Sequence, residues 1–163
     1  MINPQGQDWL RAITLWRPWP SAMAHLGKPL ENRTWASWLK PGEWVAIHAG
    51  KKFDQAGAEW VARGFEIEDA AAFLSPANHP TGVILLARFK QNVEAAESPW
   101  FTGPVAWEFD RRIVLDKPVD CAGKQGIWML SPEQRASVLA QCSFDRVEAF
   151  SPSTTKAAAK ISA

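Results

Sequence analysis

Tyrosine is absent from this chain of 163 residues, cysteine occurs twice, and methionine and histidine three times each. The formal net charge is only +1. The two cysteines, Cys121 and Cys142, belong to no CxxC or Cys/His pattern. That excludes a disulfide scaffold and a structural zinc site, and fits a reduced, cytoplasmic protein. His25, His48 and His79 stand at unrelated spacings, so no HExxH pattern exists. GxSxG, a P-loop and the dinucleotide GxGxxG are missing too, and no motif calls for a metal or a cofactor. A balanced charge excludes a polybasic binder that works by bulk attraction. No apolar run approaches the roughly eighteen residues of a membrane span. The opening Met1–Asp8 stretch has neither a basic nor an apolar region and predicts no secretory signal.

What the sequence does have is indole. Ten tryptophans and eight phenylalanines accompany 47% apolar residues, enough for one well-buried domain. Most of these rings must be core, since each buries a large area, and a few remain for a ligand. Charge is also segregated. Residues 1–52 carry seven basic against three acidic side chains, a net of +4, while residues 53–163 carry a net of −3. One basic side on a neutral molecule can attract an anion locally.

Hydrophobic patterning predicts short strands with helices between them. Strands are expected at Ala12–Trp16, Pro29–Trp35, Trp44–Ala49, Val83–Phe89, Val105–Phe109, Ile113–Leu115 and Ile127–Leu130. Val83–Phe89 is the most apolar and is expected to be central. Ser21 is expected to cap a helix through Leu26 stopped by Gly27, Asp54 opens another closed by Gly64, and Ile67–Leu74 gives further helical turns. Ser131-Pro132-Glu133 starts a last helix. The pattern predicts an α+β domain built on a small mixed β-barrel of about six short strands with flanking helices. Residues 1–11 read as an N-terminal extension, 12–150 as a single domain, and 151–163 as a flexible tail.

Alternation within these strands isolates candidates for function. Pro29–Trp35 puts polar groups on both faces, with Glu31, Arg33 and Trp35 opposite Leu30, Asn32 and Thr34. Val45, Ile47 and Ala49 form one apolar face, opposed by Trp44, Ala46 and His48. Arg17, Trp19, Lys28, Glu31, Arg33, His48, Lys51 and Lys52 thus fall at strand ends or on less apolar faces. Cations for phosphate, indoles for stacking and a carboxylate for a base edge are what a nucleotide site needs. Each residue also has a structural explanation. Glu31 and Arg33 can pair on a wet face, Asn32 can bond main chain, His48 can be a satisfied core histidine, and Lys51-Lys52 can be a solvated loop.

Three blocks taken in order resemble the ASCH domain family of the PUA-like superfamily. They are Ile13–Trp19 with Leu26–Trp35, then Trp44–Lys51, then Ser98–Pro104 with Trp107 and Gly123–Trp128. Together they span about residues 13–130. The resemblance implies a PUA-like barrel with a cleft between barrel and helix, lined by Trp19, Lys28, Glu31 and Arg33. It implies RNA or a nucleotide as partner. Arg17, Lys28, Arg33 and Lys51 are expected to hold phosphate. Trp19 and Trp100 would stack a base, Glu31 and Asn32 would read its edge, and His48 completes the set.

The family also contains amidohydrolases that act on acetylcytidine through a Lys-x-x-Thr pair, and this chain departs from them. The corresponding segment is Lys28-Pro29-Leu30-Glu31, and the central strand stretch Ala87-Arg88-Phe89-Lys90 lacks their additional acid. A hydrolase acting on a modified nucleoside or on RNA, with Lys28 and Glu31 as acid and base, is one alternative. A protein-interaction scaffold whose indoles are all core is the other.

Overall fold

Alternating apolar residues and punctuating glycines and prolines give the elements their order. The computed structural model describes residues 3–150, and the tail from Ser151 lies outside the described residues. In chain order the elements are β1 (Arg11–Arg17), α1 (Trp19–His25), β2 (Leu30–Arg33), β3 (Trp44–Phe53), α2 (Gln55–Gly64) and α3 (Ala70–Phe73). They continue with β4 (Gly82–Val93), β5 (Val105–Val119), β6 (Ile127–Met129), α4 (Pro132–Leu139) and β7 (Glu148–Ala149). The strands form one sheet in the order β2-β5-β4-β3-β1-β6, with β7 added beside β5. β1 and β3 run parallel, and every other pairing is antiparallel. Register shifts interrupt the β1–β3, β3–β4 and β4–β5 ladders. Such bulges add twist, and the mixed α+β fold is a sheet curled into half a barrel.

Both faces of β3 are buried. Val45, Ile47 and Ala49 join Met23 and Ala24 of α1 in one core, while Trp44 and Ala46 join Val138 and Leu139 of α4 in another. A third core gathers Ala22, Leu30, Val61, Phe65, Trp100 and Ala106 and seats α2 beside the β2 end of the sheet. Residues 3–10 also pack onto this body. The Gln7 side chain accepts the Trp44 N–H at 2.6 Å, and Leu10 is buried in the α4-side core.

Two local expectations change. The helix after β1 begins at Trp19, two residues before Ser21, with Pro20 in a first turn that needs no N–H there. Ser21 is therefore interior to α1, and its hydroxyl meets His79 Nδ1 at 2.9 Å. The two strands expected over 105–115 are one long β5. The polar triplet between them continues the strand because its charges find lateral partners. Arg88 of β4 clasps the Asp110 carboxylate with bonds of 2.9 and 2.8 Å, and Arg112 pairs with Glu148 of β7 at 3.6 Å. Asp54 caps α2 as expected, accepting the Gly57 N–H at 2.8 Å, and Ser131 caps α4. No helix among the described residues is long and apolar enough to cross a membrane.

Candidate functional site

Five segments converge beside the third core: the end of β1, the start of α1, β2, the first turns of α2, and the loop around Trp100. They enclose a cleft of about 490 Å³ lined by Trp16, Trp19, Lys28, Glu31, Arg33 and Trp60, with Thr14, Asn32, Trp100 and Thr102 completing its wall. The geometry starts with Gly27, whose φ of 71° ends α1 in a conformation that suits glycine. The Lys28 N–H folds back to the Ala22 carbonyl at 3.2 Å, which sends the side chain inward.

Lys28 is 3% exposed. Its ammonium donates to the Leu30 carbonyl, stands 3.5 Å from Glu31 Oε1, and lies 5.3 Å from the centre of the Trp19 ring. Burial pushes its proton affinity below that of an ordinary lysine, the Glu31 charge opposes the shift, and Arg33 adds to it. The other carboxylate oxygen of Glu31 faces Arg33 Nε at 3.3 Å. That approach is an ion pair without hydrogen-bond alignment, so the buried Arg33 Nε keeps an unused donor. The guanidinium also lies 5.1 Å from the centre of the Trp107 ring. One carboxylate is thus bracketed by two cations, leaving the cleft with a net charge of +1.

The aromatic walls differ in what they can offer. Trp19 is pinned, its indole N–H donating to Asp54 Oδ2 at 3.0 Å. Trp100 is 3% exposed, stacked on Phe65 at 4.2 Å between ring centres and edge-on to Trp60 at 5.9 Å. It closes the wall, and its indole N–H has no partner among the described residues. Trp16, by contrast, is 52% exposed at the cleft mouth and presents the most open ring.

A second cleft of about 860 Å³ adjoins the first and shares Thr14, Trp16 and Arg33 with it. Lys51, Lys52 and the segment 120–126 line its far side. His48 sits at its base, 3% exposed, with Nε2 at 2.8 Å from the Cys121 carbonyl and Nδ1 unpartnered among the described residues. Gly123 passes directly over it. A Cβ there would lie 2.8 Å from both His48 Cε1 and Thr14 Oγ1, so only glycine lets the segment approach so closely.

The structure therefore brings Trp19, Lys28, Glu31, Asn32, Arg33 and Trp100 to one cleft and puts His48 and Lys51 on its neighbour. Arg17 lines neither. Its guanidinium is taken up by the carbonyls of Gly50, Lys51, Pro76 and His79 at 2.6–3.1 Å, which ties β1 to β3 and to the turn before β4. The Asn32 amide is also spent on main chain, donating to the Trp100 carbonyl and accepting the Thr102 and Gly103 N–H groups at 2.9–3.1 Å. Trp16 and Trp60 were not among the sequence candidates. The signal for Trp16 was strand alternation, which puts it on the same face as Thr14 and opposite the buried Leu15. No group of three or more metal-ligating side chains is found among the described residues. No protein-family model matches this chain, and no curated protein matches it either.

Proposed function

We propose that this protein is an ASCH-like, PUA-like module that binds RNA or a nucleotide, holding one base in the cleft between the sheet and α2. The observation that carries this reading is a partly buried carboxylate held between two cations in a concave, indole-walled site. Glu31 accepts hydrogen bonds from a base edge, because each of its oxygens retains a free lone pair. Lys28 is too buried to meet phosphate in solvent, so it fixes the charge and position of Glu31. Arg33, which lines the cleft, turns its guanidinium to the ligand. Trp19 forms the rigid wall against the base, and Trp16 stands half-exposed at the cleft mouth. Arg17 and Asn32 brace the walls, and Trp100 closes the cleft behind the base.

The test is a tryptophan-fluorescence titration of the purified chain with plain and acetylated nucleosides and short single-stranded RNAs, with Lys28→Ala and Glu31→Gln alongside. Saturable quenching weakened in both variants, with ligand recovered intact by chromatography, supports the reading. Unchanged fluorescence with every ligand overturns it.

One observation favours a second reading, a hydrolase acting on a modified nucleoside or RNA. Lys28 holds its proton less tightly than an ordinary lysine and stands 3.5 Å from Glu31, the arrangement of an acid/base pair. Under that reading the same titration yields a new product, and Glu31→Gln abolishes the product while ligand binding persists.

A further inference from the structure

The two adjoining clefts differ in chemistry. The inner one carries most of the indoles and a net charge of +1. The outer one has one tryptophan, Trp16, among its described lining residues, and most of its charged side chains are cations. Arg33, Lys51, Lys52 and Lys124 face it against a single carboxylate, Asp120, so these five side chains sum to +3. Trp16 stands on the ridge between them, half-exposed, with the Lys52 ammonium 5.1 Å from its ring centre. Arg33 and Thr14 belong to both walls, so the two clefts adjoin along this ridge.

From this order of aromatic wall, exposed ring and cationic trough, we propose that the site takes a single strand of at least two linked nucleotides. One base enters the inner cleft and its neighbour stacks on Trp16. The phosphodiester between and beyond them lies in the outer cleft, against Lys51, Lys52 and Lys124. This rests on the nucleotide-binding reading of the inner cleft and extends it to a class of ligand.

Three physical points favour a single strand over a mononucleotide or a duplex. Each cleft alone lies within the usual range for one small-molecule site, roughly 300–1,000 Å³, so the pair offers room beyond one nucleoside. An exposed indole beside a cationic groove is the recurring device for single strands, because every base has a face to stack. A duplex keeps its base faces covered and cannot fill the inner cleft. The chain's small net charge suits a short strand gripped in one trough better than a long duplex tracked by bulk charge.

The experiment compares the affinities of nucleoside 5′-monophosphates, single-stranded RNA dinucleotides and tetranucleotides, and a short RNA duplex, each at two salt concentrations. Wild-type protein is run beside Trp16→Ala and the double variant Lys51→Ala/Lys52→Ala. The proposal predicts that the dinucleotide binds about tenfold or more tightly than the monophosphate. It predicts that Trp16→Ala removes most of that gain, and that the lysine variant flattens the salt dependence for the strand while sparing the monophosphate. Equal affinity for monophosphate and dinucleotide overturns the extended site and leaves the inner-cleft reading intact. Binding of the strand undiminished in both variants likewise overturns it, as does preference for the duplex. No binding of any ligand by the wild-type protein, monophosphate included, overturns both readings. Circular dichroism and denaturant midpoints equal to wild type exclude misfolding, which is the expected outcome for changes at these exposed positions.

Discussion

Asp54 joins Trp19 to α2: one carboxylate oxygen accepts the Trp19 indole N–H at 3.0 Å while the other accepts the Gly57 N–H at 2.8 Å. The residue that starts the helix is also the one that holds the cleft wall upright. Asp54→Ala should therefore cost about 1–2 kcal/mol through the lost cap alone. It should also release the Trp19 ring, read as a red-shifted emission and weaker nucleotide affinity. Asp54→Asn, whose side-chain oxygen can still cap, should recover most of the stability.

Gly57 is inside α2, where alanine normally improves a helix by roughly 0.5–1 kcal/mol. Here the sign reverses. A Cβ at Gly57 would lie 2.4 Å from Trp19 Cζ2 and 2.5 Å from Asp54 Oδ2, and the ring cannot move without breaking its bond to Asp54. Gly57→Ala is predicted to destabilise by about 1–3 kcal/mol in denaturant unfolding, as overpacking does.

Arg17 separates bracing from binding. Its guanidinium satisfies four main-chain carbonyls drawn from β3 and from the turn before β4. Arg17→Ala should lower stability by about 2–4 kcal/mol, since it strands several acceptors at once. In the variant that remains folded, the salt dependence of nucleotide binding should match that of wild type, because Arg17 lines neither cleft.

Lys28 makes stability depend on alkaline pH in a particular direction. Its folded-state proton affinity is lowered by burial, so the unfolded chain holds this proton more tightly than the folded one. Stability from this group therefore rises with pH through the window below the ordinary lysine value of 10.5. Cys142 opposes it. Burial raises that thiol from 9.0 to about 11, so its contribution is full below 9.0 and is lost as pH climbs through the folded value. Comparing wild type with Lys28→Met between neutral pH and 10 isolates the first effect. The variant should lack the rise, and its stability should fall more steeply as Cys142 ionises.

How much of this was legible in the sequence depended on whether the cause was local. Asp54 before α2 and Ser131 before α4 cap as expected, because capping needs only neighbouring N–H groups. The face Val45, Ile47, Ala49 packs as a unit because strand alternation is a local rule. Lys28, Glu31 and Arg33 lie close in sequence, and they meet in space. Arg17 was different, since the carbonyls that occupy it include Pro76 and His79, brought in by the tertiary fold. Trp100 was expected to stack a base, but Phe65 from the end of α2 covers it. Trp16 was not singled out, although alternation puts it opposite the buried Leu15. It stands where a register shift between Leu15 and Arg17 interrupts the β1–β3 ladder, and no local pattern announces that irregularity.

The central claim is that a nucleobase enters the inner cleft. The most direct measurement is a proton–nitrogen spectrum of the indole N–H groups during titration with a short single-stranded RNA, assigned by single tryptophan substitutions. The prediction is movement of the Trp16, Trp19, Trp60 and Trp100 signals together, with Trp9 and Trp38 on the distant Arg11 surface unmoved. Shifts confined to Trp9 and Trp38, or no shift at saturating RNA, would contradict it.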